Sequence, residues 1–365
     1  MTSNDQASGE PVRIGLLRLT DAAPVVFAAA RGLFAGEGVT VELVVEPSWA
    51  NLADKLSYGL LDAAVMLPPL ALAMTVGLRA AGAPLIVPMS LSLNGNSVTL
   101  SERLAAPIVA GGRPPPLEAG RRLRRLIAGG APPMLAVVHA WSTHDLLLRY
   151  WLAASGIDPQ HDVAWTVVPP AEMVDALASG RIDGFCAGAP WGAVAARAGR
   201  GRTVVVSSRI WRDHPEKCLA VRTAWATAHP AALQAVLRAL LKASVRCDDP
   251  AETPGLAVLL AEPSFVDVPA AAVAASLPGG EGGEVDRSVF AAHGATFPWR
   301  AHARWFLAQM ARWRELPPGL DIAAVAERVY QPDLYATAAL ALGMALPEAT
   351  TSDRDAFCDG AAFQR

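Results

Sequence analysis

Positive charge is in short supply. The 365 residues carry 31 lysines and arginines against 34 acids, a formal net charge of −3, so no broad field is available to hold a nucleic-acid backbone. Any anion must be recognised locally. The dense basic run Arg121-Arg122-Leu123-Arg124-Arg125 has no aromatic platform interleaved with it and reads as a solvated helix face rather than a nucleic-acid contact. Cysteine is scarce as well. Cys186, Cys218, Cys247 and Cys358 stand singly, with no C-x-x-C pair, which excludes a disulfide framework and a zinc site of familiar spacing and leaves free thiols. Long apolar runs are missing too. The longest nearly uncharged stretch, 63–78, is shorter than the roughly 20 residues that cross a bilayer, and Pro68 and Pro69 interrupt it, so no membrane contact is expected. Residues 1–12 show neither the basic start nor the apolar core of a secretory signal, and the expected location is the cytoplasm.

Catalytic signatures are also absent. The chain has no G-x-S-x-G, H-E-x-x-H, phosphate loop or G-x-G-x-x-G fingerprint. His139, His161, His214, His229, His293 and His302 show no metal-ligand spacing. No enzyme chemistry, cofactor or metal is therefore expected.

What is present is a repeat. A helix-like run over 22–31 ends at Gly32, an apolar strand covers 39–45, Pro47-Ser48-Trp49 opens a helix to Tyr58, and Gly59 precedes a strand at 61–66. The same order returns with a helix over 146–155, Gly156, a strand at 163–168, Pro169-Pro170, a helix to Ser179, Gly180 and a strand at 182–187. Two β-α-β-α-β units predict two similar α/β lobes with a ligand cleft between them, where strand ends and helix N-termini face one another. Lobe I is expected over 11–104, lobe II over 105–215, and a return to lobe I with C-terminal helices over 216–345. Residues 225–245 and 301–328 read as amphipathic helices. The tract 278–283 reads as a flexible loop, and 346–365 as a poorly ordered tail.

Several residues fall near the expected cleft. His144, between Thr143 and Asp145 at a strand-to-helix turn, matches Thr20 of the first repeat; it either binds an anion at the helix N-terminus or points to solvent while Thr143 or Asp145 caps the helix. Thr20 or Asp21 is the expected cap in lobe I. Trp49 and Pro170 are repeat-equivalent, and the Trp49 indole is a donor with no acceptor, suited to an anion or simply to packing. Asn94-Gly95-Asn96 is a turn candidate whose Asn and Gly supply left-handed conformations. Lys217, ahead of an apolar strand at the second inter-lobe crossing, is placed to supply a full positive charge at the cleft mouth. Asp62 and Asp183 are repeat-equivalent and read as a shared structural turn.

These motifs occur in an order that resembles a known family. Leu19-Thr20-Asp21-Ala22-Ala23-Pro24, Ser48-Trp49-Ala50-Asn51, Leu67-Pro68-Pro69, Leu93-Asn94-Gly95-Asn96, Thr143-His144-Asp145, Gly188-Ala189-Pro190-Trp191, His214-Pro215-Glu216-Lys217 and Thr296-Phe297-Pro298-Trp299 resemble the nitrate- and bicarbonate-binding proteins of cyanobacterial-type ABC transporters. The resemblance implies a two-lobed α/β fold of the type II periplasmic-binding-protein kind. Carried over by position, it implies a nitrate or nitrite pocket at Trp49, Asn96, His144, Pro170, Ala187, Gly188 and Lys217. Asn96 stands where the family usually has Gln, and Ala189 where a Glu commonly precedes the Pro-Trp pair. In the bicarbonate binders the lysine position tends to be acidic and to hold calcium, so Lys217 favours nitrate or nitrite without metal. With no export signal expected, the chain looks most like the NasS-type cytoplasmic nitrate sensors. For these the resemblance implies a protein partner, an antitermination regulator with an RNA-binding domain, held until the anion arrives. The transporter solute receptor is the alternative. A relationship to the thiamine-pyrimidine-precursor synthases, which share the fold, lacks their cysteine cluster.

Overall fold

The computed structural model describes residues 10–78, 83–281, 285–314, 316–348 and 356–363. Among these residues, ten strands form two five-stranded sheets. The first holds β1 (Val12–Leu16), β2 (Val41–Val45), β3 (Ala63–Met66), β4 (Leu85–Leu93) and β10 (Pro215–Arg222), in the order β2-β1-β3-β10-β4. The second holds β5 (Asn96–Ser101), β6 (Met134–Val137), β7 (Ala164–Val167), β8 (Gly184–Gly188) and β9 (Gly201–Val206), in the order β7-β6-β8-β5-β9. The orders are the same, and in each sheet the strand that enters from the other lobe is the antiparallel one. This is the two-lobed α/β architecture that the repeat predicts.

The chain changes sheet at Asn94-Gly95, with φ of 62° and 90°, and again over 207–214. The first crossing comes ten positions ahead of the expected 104/105 boundary, because β5 pairs with β8 and β9 and not with β4. Expecting 97–100 in lobe I was therefore wrong: two strands joined by Asn-Gly read as a hairpin, and this Asn-Gly is a hinge. The two crossings are tied together, Asn94 N–H to His214 O at 3.0 Å and Asn94 Nδ2 to Asp213 Oδ1 at 3.3 Å.

The helical runs are shorter than their patterns. Pro230 separates Thr223–Ala228 from Pro230–Cys247, and 301–328 divides into Arg300–Trp313 and Ile322–Val329, since proline lacks the amide that a continuing helix needs. Helix Arg300–Trp313 packs on helix Pro68–Thr75 of lobe I and on helix Thr143–Ala154 of lobe II. One apolar cluster runs through both lobes, joining Leu19, Trp49 and Leu67 to Leu146, Phe185 and Trp191. The lobes are closed on each other. The basic run lies on helix Pro116–Ile127, where Arg121, Arg122 and Arg125 surround Glu118.

The tail is not the loose end expected. Phe357 and Phe363 are buried against Trp211, with centroids 4.9 and 4.8 Å away, because an aromatic cluster can offset the entropy of ordering a terminal segment. Residues 282 and 283 of the expected loop and 349–355, 364 and 365 of the expected tail lie outside the described residues. No helix among the described residues is long and apolar enough to cross a membrane.

Candidate functional site

The turn after β1, the N-terminus of the helix after β2, the start of β5, the N-terminus of the helix after β6, the end of β8 and the start of β10 converge where the lobes meet. They bring Asp21, Trp49, Asn96, His144, Gly188 and Lys217 to one buried place, together with Glu216.

Lys217 is the centre. It is fully buried, not at a cleft mouth, and its ammonium contacts Asp21 Oδ2 at 2.8 Å and donates to Glu216 Oε1. Its Nζ lies 5.5 Å from the centre of the Trp49 ring. Asn96 Nδ2 donates to Glu216 Oε2 at 2.6 Å, and His144 Nε2 stands 3.4 Å from Glu216 Oε1. Three groups of this site have buried polar atoms with no hydrogen-bond partner among the described residues: Trp49 Nε1, both ring nitrogens of His144, and Asn96 Oδ1. Buried donors left without partners are costly and mark a place built for something else to meet them.

Gly188 pairs with Asn96 across β8 and β5. A Cβ at Gly188 would stand 3.3 Å from Asp21 Oδ2 and 3.5 Å from Asn96 Oδ1. Ala187, one residue back, is buried and belongs to the apolar cluster that lines the seam. Pro170 opens the short 3-10 helix Pro170–Glu172 after β7 and is buried, but no polar contact joins it to the lysine cluster.

Two acidic members escaped sequence reasoning. Adjacent strand residues ordinarily face opposite ways, which would turn Glu216 away from Lys217. The pairing of β10 with β4 shifts register on both sides of Lys217, and such a bulge re-aims a side chain, so both residues reach the site. Asp21 was expected to cap a helix. The turn Thr20–Ala22 has no side-chain cap; Asp21 serves Lys217, and Thr20 Oγ1 accepts from Ser276 Oγ at 3.2 Å. Likewise neither Thr143 nor Asp145 caps the His144 helix. Ser142 does, accepting from Asp145 N–H at 3.0 Å, which leaves the Asp145 carboxylate to Arg149 and Arg314.

Charge follows from burial and neighbours. Burial raises the Glu216 carboxyl, but Lys217, by charge and by hydrogen bond, outweighs it and holds it down to about 2. Burial also raises Asp21, and here Lys217 only partly offsets the rise. Burial lowers Lys217, yet Asp21 and Glu216 leave it raised and charged. His144 is pushed down to about 3 by burial against the pull of Glu216, so it is neutral.

Behind the site, His214 Nε2 lies 2.7 Å from Ser207 Oγ, which donates to Asp286 Oδ2 at 2.6 Å. The three side chains are those of a hydrolase triad, but the carboxylate holds the serine instead of the histidine, and all three residues are buried. Ser207 and His214 lie in the second crossing, and Asp286, from a distant segment, packs against them.

A family model matches residues 5–261. The chain belongs to the NMT1-like family. This NMT1-like chain is 34% identical, over 99% of its length and 85% of the other protein's, to the nitrate/nitrite binding protein NrtA of Synechococcus elongatus. It is also 36% identical, over 91% of its length, to the bicarbonate transport ATP-binding protein CmpC of the same organism, of which it spans half. Its fold matches the crystal structure of the periplasmic nitrate-binding protein NrtA from Synechocystis PCC 6803, with a TM-score of 0.85, 28% identity and coverage of 97% and 96% of the two chains. The alkanesulfonate-binding protein SsuA from Xanthomonas axonopodis shares the fold, at a TM-score of 0.63 and 20% identity. Family and fold are those of solute-binding proteins.

Proposed function

We propose that the chain binds nitrate or nitrite between its lobes. The observation that carries this is a wholly buried lysine ammonium surrounded by the unpartnered donors Trp49 Nε1 and His144. A small planar oxyanion has acceptors on every side and can meet donors from both lobes at once. Charge-assisted bonds of this kind are worth roughly 1.5–3 kcal/mol each, so one cation and two neutral donors suffice for a specific site. The similarity to nitrate-binding proteins at 34% and 28% identity supports the choice of anion. Lys217 in place of an acidic residue supports nitrate over bicarbonate. Trp49, Asn96, His144, Gly188 and Lys217 make the contacts, with Ala187 and Pro170 as neighbouring wall.

Titration calorimetry with nitrate, nitrite, bicarbonate and sulfate tests the reading. Nitrate or nitrite should bind, and Lys217→Ala should weaken binding at least about tenfold. Equal affinities in wild type and variant would remove Lys217 from the site.

Two roles fit such a receptor. The resemblance to NasS-type proteins supports a cytoplasmic sensor that holds an antitermination regulator with an RNA-binding domain and releases it when the anion arrives. The transporter proteins among the relatives support delivery to a permease instead. Closure around the anion couples the sites reciprocally: a regulator gripping the open form must lose affinity as the anion binds. Size-exclusion chromatography of chain and regulator, with and without nitrate, decides. A complex that nitrate dissolves is the sensor's signature, and no complex in either condition leaves the transporter role.

A further inference from the structure

The charges that surround Lys217 do not balance an incoming anion. Asp21 faces the ammonium from the turn after β1, and Glu216 from β10 itself. His144 faces Glu216 from the helix after β6, and His214 from the second crossing, with Asp286 behind it across Ser207. The thiols of Cys186 and Cys218, pushed up by burial, are neutral. The two carboxylates that touch the ammonium, with the histidines neutral, leave that trio at a net single negative charge before any ligand arrives, and the Asp286 carboxyl, held on Ser207, adds no positive charge to it. A monovalent anion would double it, in a place where all the charged side chains are buried. An uncompensated buried charge is among the costliest arrangements a protein can hold.

Resting on the nitrate or nitrite reading above, we propose that each anion enters together with one proton and that Asp21 takes it. Glu216 is held as a carboxylate from two sides, by Lys217 and by Asn96 Nδ2 at 2.6 Å. Asp21 has Lys217 as its one side-chain partner among the described residues, at 2.8 Å. An anion that takes a share of the ammonium therefore displaces Asp21 rather than Glu216. The released carboxylate binds a proton from solvent, and the anion occupies its place beside Lys217. The new O–H has a ready acceptor. Asn96 Oδ1 is buried without a partner and lies, with Asp21 Oδ2, within 3.5 Å of the same point beside Gly188. Protonation thus removes the excess charge and satisfies an orphaned carbonyl in one step. Asp21 becomes a specificity-determining residue: it makes anion affinity depend on pH although nitrate itself does not titrate.

Calorimetric titration of nitrate in two buffers of equal pH and different ionisation enthalpy measures the protons taken up. Wild type should take up close to one per nitrate, and its Kd should rise about tenfold per pH unit between the ligand-free and ligand-bound pKa of Asp21. Asp21→Asn, neutral at every pH, should take up none, show a flat Kd and bind tighter than wild type on the alkaline side. Nitrate binding by wild type with no proton uptake would overturn the proposal whatever the variant does. So would full uptake by the Asn variant, which would place the proton on His144. If neither nitrate nor nitrite binds wild type at any pH, it is the anion reading that fails.

Discussion

Asp145 of lobe II accepts a hydrogen bond from Arg314 Nη2 at 3.0 Å, and this pair bolts the end of the bridging helix Arg300–Trp313 to the helix that carries His144. The Asp145 carboxylate is buried, and Arg149 holds its other side at 3.0 Å. Removing one partner of such a pair leaves the other stranded, which costs a few kcal/mol. Arg314 is a quarter exposed, so screening trims the figure. Arg314→Ala should destabilise the chain by about 1–3 kcal/mol. It should also weaken anion binding, since the bridging helix packs on lobe I and the lost bond favours lobe opening. Urea unfolding and nitrate titration of the same variant read both effects. A variant with unchanged affinity would show that the bolt does not bear on closure.

Gly188 tests the tightness of the site. A methyl group there would sit 3.3 Å from both Asp21 Oδ2 and Leu19 Cδ2, closer than nearly all carbon contacts, so Asp21 must move by a few tenths of an ångström. Because the backbone is otherwise unstrained there, the penalty falls on the site. Gly188→Ala should leave the unfolding midpoint within about 1 kcal/mol of wild type and weaken nitrate binding severalfold.

The lobes were legible because each repeat buries its own core with its own period. Asp62 and Asp183 show how far the copy extends: each accepts the N–H of a residue 49 positions earlier, Arg13 and Met134, at 2.9 Å, the shared structural turn that their spacing predicts. The residues that polar chemistry places at helix starts, Trp49 and His144, were legible for the same reason. Asp21 and Glu216 were not. One is a cap-type residue whose carboxylate went elsewhere, and the other depends on a bulge that alternation cannot anticipate. The docked tail was hidden because its partners Trp211, His302 and Trp305 lie far away in sequence, and long-range aromatic packing has no local period.

Acid should unfold the ligand-free chain earlier than its composition implies. The unfolded chain protonates His144 below about 6.5, while the folded one resists down to about 3. Stability from this group is therefore whole above 6.5 and falls as pH drops through that window, by up to about 1.4 kcal/mol per pH unit. Glu216 acts in the same direction lower down: its carboxylate is stabilised in the fold, so its contribution is present above 4.5 and lost as pH falls towards about 2. Urea midpoints measured from pH 7.5 to 4.5 should decline, and His144→Gln should decline less steeply. Parallel lines for the two proteins would mean that His144 titrates normally.

The C-terminal strap is the last element whose removal can be read directly. Cys358 N–H donates to Ile210 O at 2.7 Å and Asp359 accepts from Tyr150 Oη at 2.9 Å, while Phe363 stacks on His302 at 5.3 Å and Phe357 on Trp305 at 5.7 Å. The strap therefore touches lobe II, the second crossing and the bridging helix together. Its hold is chiefly the two phenyl groups, since truncating a buried Phe costs about 3–5 kcal/mol and a short terminal segment retains little else against its ordering entropy. Phe357→Ala with Phe363→Ala should release it while the two sheets stay folded. Hydrogen exchange at Cys358 and Gly360 should become fast and exchange in β10 stay slow. Because Trp211 sits in the second crossing between the two sheets, release should also weaken nitrate binding severalfold. Exchange at Cys358 that remains as slow as in wild type would show that the backbone bonds alone hold the strap.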